Sequence, residues 1–410
     1  MLPFTSICTE RNGQLQACLM SERYSESNVY EEDLSIGWNG EYYRKLRLDL
    51  LNGVENPNCR RCWEANLRGM DSKRTQTNFE RSEQLADPKF LQALEDCKNN
   101  DGYFSLPPDQ LDLKINNTCN LKCMMCNPYQ SSSHEVEVKL MRKSDIQVPR
   151  WIEYVESILG DKGKPVKQSP LTNSIKSALA NLRVLLIDGG EPMTSPDLEE
   201  ILDYCIEHGH TEMMVGFVTN LTKIPDGILD KLNKFWDVHL WVSWDHYDGD
   251  KFKFIRYPAD YNQFLANFEL LKKYPRFKVG VSLAISVFNV YAIPKLLDHF
   301  EELAQQGYLR DGVLPKFVHA PDYLSIEYLE PEQKAELHQM FTDYLEKNKD
   351  YLIFKDSNTA TKLRNSAVIL THDPVDFLDV VKERTRVLKL YDPIRNTDYK
   401  AMCPYIKDYE

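Results

Sequence analysis

The chain has 410 residues, enough for two or three domains or for one barrel with an extension, and 42% of them are hydrophobic, which supports a sizeable core. A formal net charge of −12 argues against a tight, non-specific grip on nucleic-acid backbone, which needs a basic footprint. Mean hydropathy is −0.49, and no apolar run reaches the roughly 18 residues that a membrane span requires, so no membrane partner is expected. The start, Met1-Leu-Pro-Phe-Thr-Ser, lacks a basic stretch followed by an apolar one. No signal peptide is read there, and a cytoplasmic location is expected. The ten cysteines are grouped, and in a reducing compartment grouping favours metal over disulfides.

The first cysteine group lies at the N-terminal end. Cys8 and Cys18 flank Asn12-Gly13, a strong hairpin signal. A two-residue turn there would set residue 8 across from residue 17 and bring Cys8 close to Cys18. Asn39–Leu51 reads as a helix stopped by Gly53. Pro57-Asn-Cys-Arg-Arg-Cys-Trp63 then supplies a C-x2-C pair, Cys59 and Cys62. Two pairs brought together make a closed four-thiolate site, which suits zinc or a four-iron cluster, and spacing alone favours zinc. Arg60 and Arg61 would stabilise the reduced form of an anionic cluster, or they form a plain exposed basic turn.

The alternating run Leu111-Asp-Leu-Lys-Ile115 reads as a short strand. It leads into Asn117-Thr-Cys-Asn-Leu-Lys-Cys-Met-Met-Cys126, whose Cys119, Cys123 and Cys126 have C-x3-C-x2-C spacing. Three thiolates on one loop can hold three irons of a four-iron, four-sulfur cluster. With no fourth cysteine near in sequence, one iron keeps the open position that catalysis needs. A zinc knuckle is the competing use. Between residues 127 and 180 an amphipathic helix is predicted, with Trp151, Val155, Ile158 and Leu159 on one face and Gly160 as its stop. Asp161-Lys-Gly-Lys-Pro165 reads as a mobile loop, and the whole insertion is a candidate lid.

The apolar strand Val184-Leu-Leu-Ile187 runs into Asp188-Gly-Gly-Glu-Pro192. Gly189 and Gly190 let backbone come near a ligand, and Glu191 offers one carboxylate suited to an ammonium group. Strands and helices then alternate. Strands are predicted at Met213–Thr219, Val238–Val242, Lys278–Ser286 and Leu314–Val318. Helices are predicted near Pro225–Trp236, at Tyr261–Tyr274 with Phe264, Leu265, Phe268 and Leu271 on one face, and at about Pro294–Gln306. Cys205 reads as a core thiol, and His299 and His319 as structural. Cys97 has no assigned role, and Cys403 is at most a redox partner of substrate. Glu330–Glu410 is charged and helical, with Phe377, Val380, Val381, Val387 and Leu388 marking packed faces.

A cysteine triad after one strand and Gly-Gly-Glu-Pro after the next resemble the radical S-adenosylmethionine (SAM) enzymes. The resemblance implies an α/β fold: a partial (β/α)6 barrel with an N-terminal hairpin-plus-helix auxiliary-cluster domain and C-terminal helices, divided as 1–105, 106–325 and 326–410. It implies that Cys119, Cys123 and Cys126 ligate a [4Fe-4S] cluster whose open iron is chelated by SAM. Gly189, Gly190 and Glu191 would hold the SAM amine, and Asn220, Ser243, Arg256 and Asn289 would be further SAM contacts. The residue before the third cysteine is usually aromatic and touches adenine. Here it is Met125, whose thioether can also pack on a ring.

The N-terminal cysteines are similar to the auxiliary-cluster extensions called SPASM and twitch domains. Their shared element is a hairpin with Gly-x4-Cys, here Gly13 to Cys18, followed by C-x2-C. The full SPASM pattern has more cysteines, so the shorter twitch form matches better, with Cys8, Cys18, Cys59 and Cys62 holding a second [4Fe-4S] cluster. The implied activity is reductive cleavage of SAM to a 5′-deoxyadenosyl radical that takes hydrogen from a substrate. The expected substrate is a peptide or protein, and an electron donor such as flavodoxin or ferredoxin is expected. The alternatives are the same chemistry on a nucleotide or small metabolite, or a non-catalytic metal-binding scaffold.

Overall fold

The computed structural model describes residues 1–21, 25–69, 71–160, 168–355 and 357–409. The strands are β1 (Ser6–Thr9), β2 (Leu15–Gln16), β3 (Gln110–Lys114), β4 (Val184–Asp188), β5 (Met214–Thr219), β6 (Asp237–Ser243), β7 (Lys278–Ile285) and β8 (Val313–Phe317). The chain divides into two compact units. Unit 1 is Met1–Asn116, Asp161–Phe217 and Asp230–Val238; unit 2 is Asn117–Gly160, Val218–Leu229 and His239–Glu410. Among the described residues no helix is long and apolar enough to cross a membrane. The loop expected at residues 161–165 lies outside the described residues.

Unit 1 carries the strand order β2-β1-β3-β4-β5. β1 and β2 are antiparallel, with Cys8 opposite Gln16 and Thr9 opposite Leu15. The expected register, residue 8 across from 17, is therefore one residue off. The cause is the turn: Glu10 N–H donates to the Gln14 carbonyl, so Arg11-Asn12-Gly13 forms a three-residue loop. Gly13 closes it at φ +85°, the left-handed position such loops reserve for glycine. β1 then pairs in parallel with β3, Ile7 opposite Leu111, so the hairpin extends the sheet. β3 pairs in parallel with β4 (Leu111 opposite Leu185), and β4 with β5 (Leu185 opposite Val215). The central strands are apolar because parallel strands are covered on both faces; Ile7, Leu111, Leu185 and Val215 are at most 1% exposed. Cys97 and Cys205 are fully buried in this unit.

Unit 2 carries β6-β7-β8, all parallel, with Leu240 opposite Val279 and Leu283 opposite Pro315. Trp244, just past β6, packs edge-on against Phe264, Phe268 and Phe300. β3 to β8 are the six predicted strands, with helices between and after them, and the chain is α/β as expected. The predicted helix near 225–236 is only Ile228–Leu232. Helix Arg150–Leu159 ends at Gly160, φ +48°, as expected, but its buried residues are Ile152 and Val155 while Ile158 is 59% exposed. The helix packs through a narrower stripe than the pattern suggested. Of the C-terminal residues singled out, Val380, Val381, Val387 and Leu388 are buried on helix Phe377–Arg395, and Phe377 is half-buried.

Candidate active site

The cysteine loop of unit 2 is held from two sides. Lys122 N–H donates to the Tyr257 carbonyl at 2.6 Å and Met124 N–H to the Ile255 carbonyl at 2.9 Å, zipping the loop to the end of helix Gly249–Ile255 and the residues just after it. On the other side stands the first turn of helix Ser132–Lys143. Ser131 caps this helix and donates its hydroxyl to the Leu121 carbonyl at 2.6 Å. Ser133 donates to the Cys119 carbonyl at 2.7 Å, and Cys119 N–H donates to Ser132 Oγ at 3.2 Å. His134 Nε2 lies 3.0 Å from the Cys123 carbonyl. A carbonyl only accepts, so Nε2 carries the proton. Burial pushes the His134 pKa down to about 4, with Arg395 adding to the fall.

The charge around the triad favours thiolate at Cys123. The thiol of Cys126 donates to the Cys123 sulfur, which holds Cys123 below its ordinary value and Cys126 well above. Arg256 Nη1 lies 4.0 Å from Cys123 Sγ. Arg256 is held by Asp245, its Nε 2.7 Å from Oδ2 without the alignment of a full hydrogen bond. Asp245 is fully buried, and its Oδ1 accepts from Ala284 N–H at 2.8 Å. Asp245, delivered by β6, thus sets a cation against the cysteine loop.

The other expected contacts in unit 2 are fixed by the fold. Asn220 donates to Asn120 Oδ1 at 3.1 Å, tying the end of β5 to the cysteine loop. The Asn289 amide donates to the Asp245 and Ala284 carbonyls and accepts from Ser286 N–H, so its polar atoms serve backbone. Ser243 ends β6, 5% exposed, and Met125 is half-buried.

In unit 1 the Gly-Gly-Glu segment is shaped by its approach to β3. A Cβ on Gly189 would meet Ile115 Cγ1 at 2.8 Å and the Asn116 carbonyl at 2.9 Å, so glycine is required by closeness rather than by φ. Gly190 N–H donates to the Asn116 carbonyl at 3.1 Å. Glu191 is 2% exposed, and one of its oxygens accepts from Met193 N–H at 3.1 Å.

The N-terminal cysteines form an electrostatic chain in the same unit. Cys8 feels the charge of Cys18, Cys18 that of Cys62, and Cys59 that of Cys62. Burial raises all three perturbed thiols, Cys18 to about 11. The Cys8 thiol also donates to Asp112 Oδ2 at 3.3 Å. Arg74, stacked 3.7 Å over the Trp63 ring, favours thiolate at Cys59. Among the described residues no three His, Cys, Asp or Glu side chains converge on one metal-ion position. A four-iron cluster makes a different demand, one thiolate per iron.

Residues 113–306 match the sequence profile of the Radical SAM superfamily. This segment is thus similar to a radical SAM domain. A curated relative, the AdoMet-dependent heme synthase of Methanosarcina barkeri, is 28% identical over 191 residues, 46% of this chain and 46% of that protein. The chain thus aligns with less than half the length of that relative. Among solved structures, Streptococcus suis SuiB bound to S-adenosylmethionine aligns with TM-score 0.37 and 13% identity over 84% of this chain and 68% of that one. Native anSMEcpe with bound AdoMet and Cp18Cys peptide aligns with TM-score 0.37 and 18% identity over 58% of this chain and 62% of that one.

A radical SAM domain implies one [4Fe-4S] cluster and SAM. The donor set fits the cluster: three cysteines on one doubly anchored loop, one drawn toward thiolate, with a guanidinium beside it. Sequence reading missed the anchors. Ser131, Ser133, His134 and Asp245 touch the cysteine loop or its cation, and only the run Ser131-Ser-Ser-His134 before a helical pattern hinted at a capped turn near the cysteines.

Proposed function

We propose that the chain is a radical SAM enzyme in which Cys119, Cys123 and Cys126 hold the catalytic cluster. When bound, that cluster supplies one electron to SAM, whose carbon–sulfur bond breaks to give a 5′-deoxyadenosyl radical that takes hydrogen from the substrate. The chain's own residues do the holding. Ser131, Ser133 and His134 fix the cysteine loop through its carbonyls, and Arg256 offsets the negative charge of the thiolates. Gly189, Gly190 and Glu191 take the amino end of SAM, with Asn220 and Ser243 as further contacts and Met125 against adenine. The carrying observation is the cysteine triad inside the matched segment, with Arg256 at 4.0 Å from Cys123.

The auxiliary reading is part of the same proposal. Cys8, Cys18, Cys59 and Cys62 hold a second [4Fe-4S] cluster in a twitch-like domain at 1–105, which passes an electron to or from the substrate radical. Its support is the placing of the four cysteines in one unit, where Cys8 feels the charge of Cys18, and Cys18 and Cys59 that of Cys62. The barrel is assigned to 106–325 and the helical extension to 326–410. The protein works in the cytoplasm, reduced by a flavodoxin or ferredoxin, on a peptide or protein. A nucleotide or small metabolite is the second substrate class, and the curated relative is named for a heme synthase.

The test is anaerobic reconstitution with iron and sulfide, followed by SAM and dithionite. Wild-type protein should bind about eight irons and release 5′-deoxyadenosine. Cys123→Ala should release none while keeping the N-terminal iron. Release by Cys123→Ala at the wild-type rate would remove the triad from the chemistry. A wild-type protein that binds metal but never cleaves SAM would be a scaffold.

A further inference from the structure

Helix Phe377–Arg395 ends on a buried cation. Asn396 stops the helix in the left-handed conformation at φ +51°, which leaves Arg395 as its last residue. The Arg395 side chain is 2% exposed and grips Glu137, 3% exposed, with two bonds: Nη2 to Oε2 at 2.7 Å and Nε to Oε1 at 3.2 Å. Its third nitrogen, Nη1, lies 3.1 Å from Met124 Sδ. The guanidinium stacks 3.9 Å over the Tyr391 ring. Glu137 sits one turn after His134 on helix Ser132–Lys143 and also pairs with Lys122 Nζ at 3.3 Å.

Three consecutive residues of the cysteine loop are therefore tied to one buried assembly. Lys122 is tied by its ammonium to Glu137, Cys123 by its carbonyl to His134, and Met124 by its sulfur to Arg395. Remove the guanidinium, and Glu137 is a buried carboxylate left with Lys122 alone as a cationic partner. Buried charges persist only when paired, so that helix turn must shift or take up water. The His134 bond to Cys123 would shift with it.

We propose that Arg395 is a positioning residue for the cysteine loop, acting through Glu137 and His134, and that its charge raises the reduction potential of a cluster held there. The second half rests on the radical SAM reading; the first does not. A fixed positive charge favours the more negative, reduced cluster, and Arg395 lies against Met124, the residue next to Cys123.

The test uses the full chain as wild type, Arg395→Gln, Arg395→Lys and the double variant Glu137→Gln/Arg395→Gln. Without metal, Cys123 alkylation by iodoacetamide is timed by mass spectrometry, with buried Cys205 of unit 1 as internal reference. Arg395→Gln should expose Cys123 about tenfold to a hundredfold faster, the opening expected when charge-assisted bonds are lost, with Cys205 unchanged. The double variant should restore much of the protection, because the buried carboxylate that lost its guanidinium is gone and Lys122, 26% exposed, can turn to water. In reconstituted protein, EPR-monitored titration should show a lower midpoint potential for Arg395→Gln and a near wild-type value for Arg395→Lys. Wild-type Cys123 protection in Arg395→Gln would overturn positioning, as would parallel exposure of Cys205 in Arg395→Lys. An unchanged potential would overturn the electrostatic half. Absence of any cluster at the triad would sink the radical SAM reading and leave the alkylation result standing.

Discussion

Asp245→Asn should weaken the fold of unit 2 far more than its single-atom change suggests. Asp245 is fully buried and Arg256 is 9% exposed, with Nε and Oδ2 2.7 Å apart. At an effective dielectric of about 20, two unit charges at that distance attract by about 6 kcal/mol. Part of that offsets desolvation, and breaking a buried pair by removing one partner costs about 3–5 kcal/mol. The amide oxygen of Asn can still accept from Ala284 N–H, so the charge accounts for nearly all the loss. Arg256 would then act on Cys123 without its counter-ion, and the Cys123 thiol should ionise at lower pH still. Urea unfolding of metal-free protein, followed by the fluorescence of neighbouring Trp244, reads the stability; alkylation of Cys123 against pH reads the thiol. A loss below about 1 kcal/mol, the size of a surface substitution, would show that the pair does not hold this corner.

Acid should destabilise the chain through buried imidazole. Burial lowers His134 and His246 from 6.5 to about 4 each, so between those values the unfolded state binds more protons and stability falls as pH falls. Each shift corresponds to about 3 kcal/mol at full effect, and His134→Asn should flatten the limb between pH 6.5 and 4 in a denaturation series. Gly189→Ala should cost about 1–3 kcal/mol, because its new methyl group must displace Ile115 and the Asn116 carbonyl; a neutral thermal shift would show that β3 yields there. Replacing Cys59 and Cys62 with Ala should leave dithionite-driven SAM cleavage intact and abolish substrate turnover. Full turnover by the folded double variant would remove a redox role for the N-terminal set.

Much of this protein was legible because its chemistry is local in sequence. Cys119, Cys123 and Cys126 lie within eight residues, and thiolates at that spacing leave few uses. Of the six strands from β3 to β8, β3 showed through its alternation and β4 through its apolar run, which a parallel strand covered on both faces needs; the rest followed from the alternation of strand and helix patterns. Gly189 was read as letting backbone come near a ligand; in the structure the neighbours that leave no room for a Cβ there are Ile115 and the Asn116 carbonyl. The hairpin register slipped by one residue because Asn-Gly serves two loop lengths, and only the β1–β2 pairing, with Glu10 N–H bonded to the Gln14 carbonyl, shows which is used. The supports of the cysteine loop were not legible. Met124 and Arg395 are 271 positions apart, and Asp245 looks like any charged residue after a strand. A buried charge is recognised by its partner, and only tertiary structure brings Glu137 to Arg395 or Asp245 to Arg256. Sequence by itself determined which thiols lie close together along the chain; folding decided which charges surround them, because Coulomb energy depends on distances that residue order does not contain.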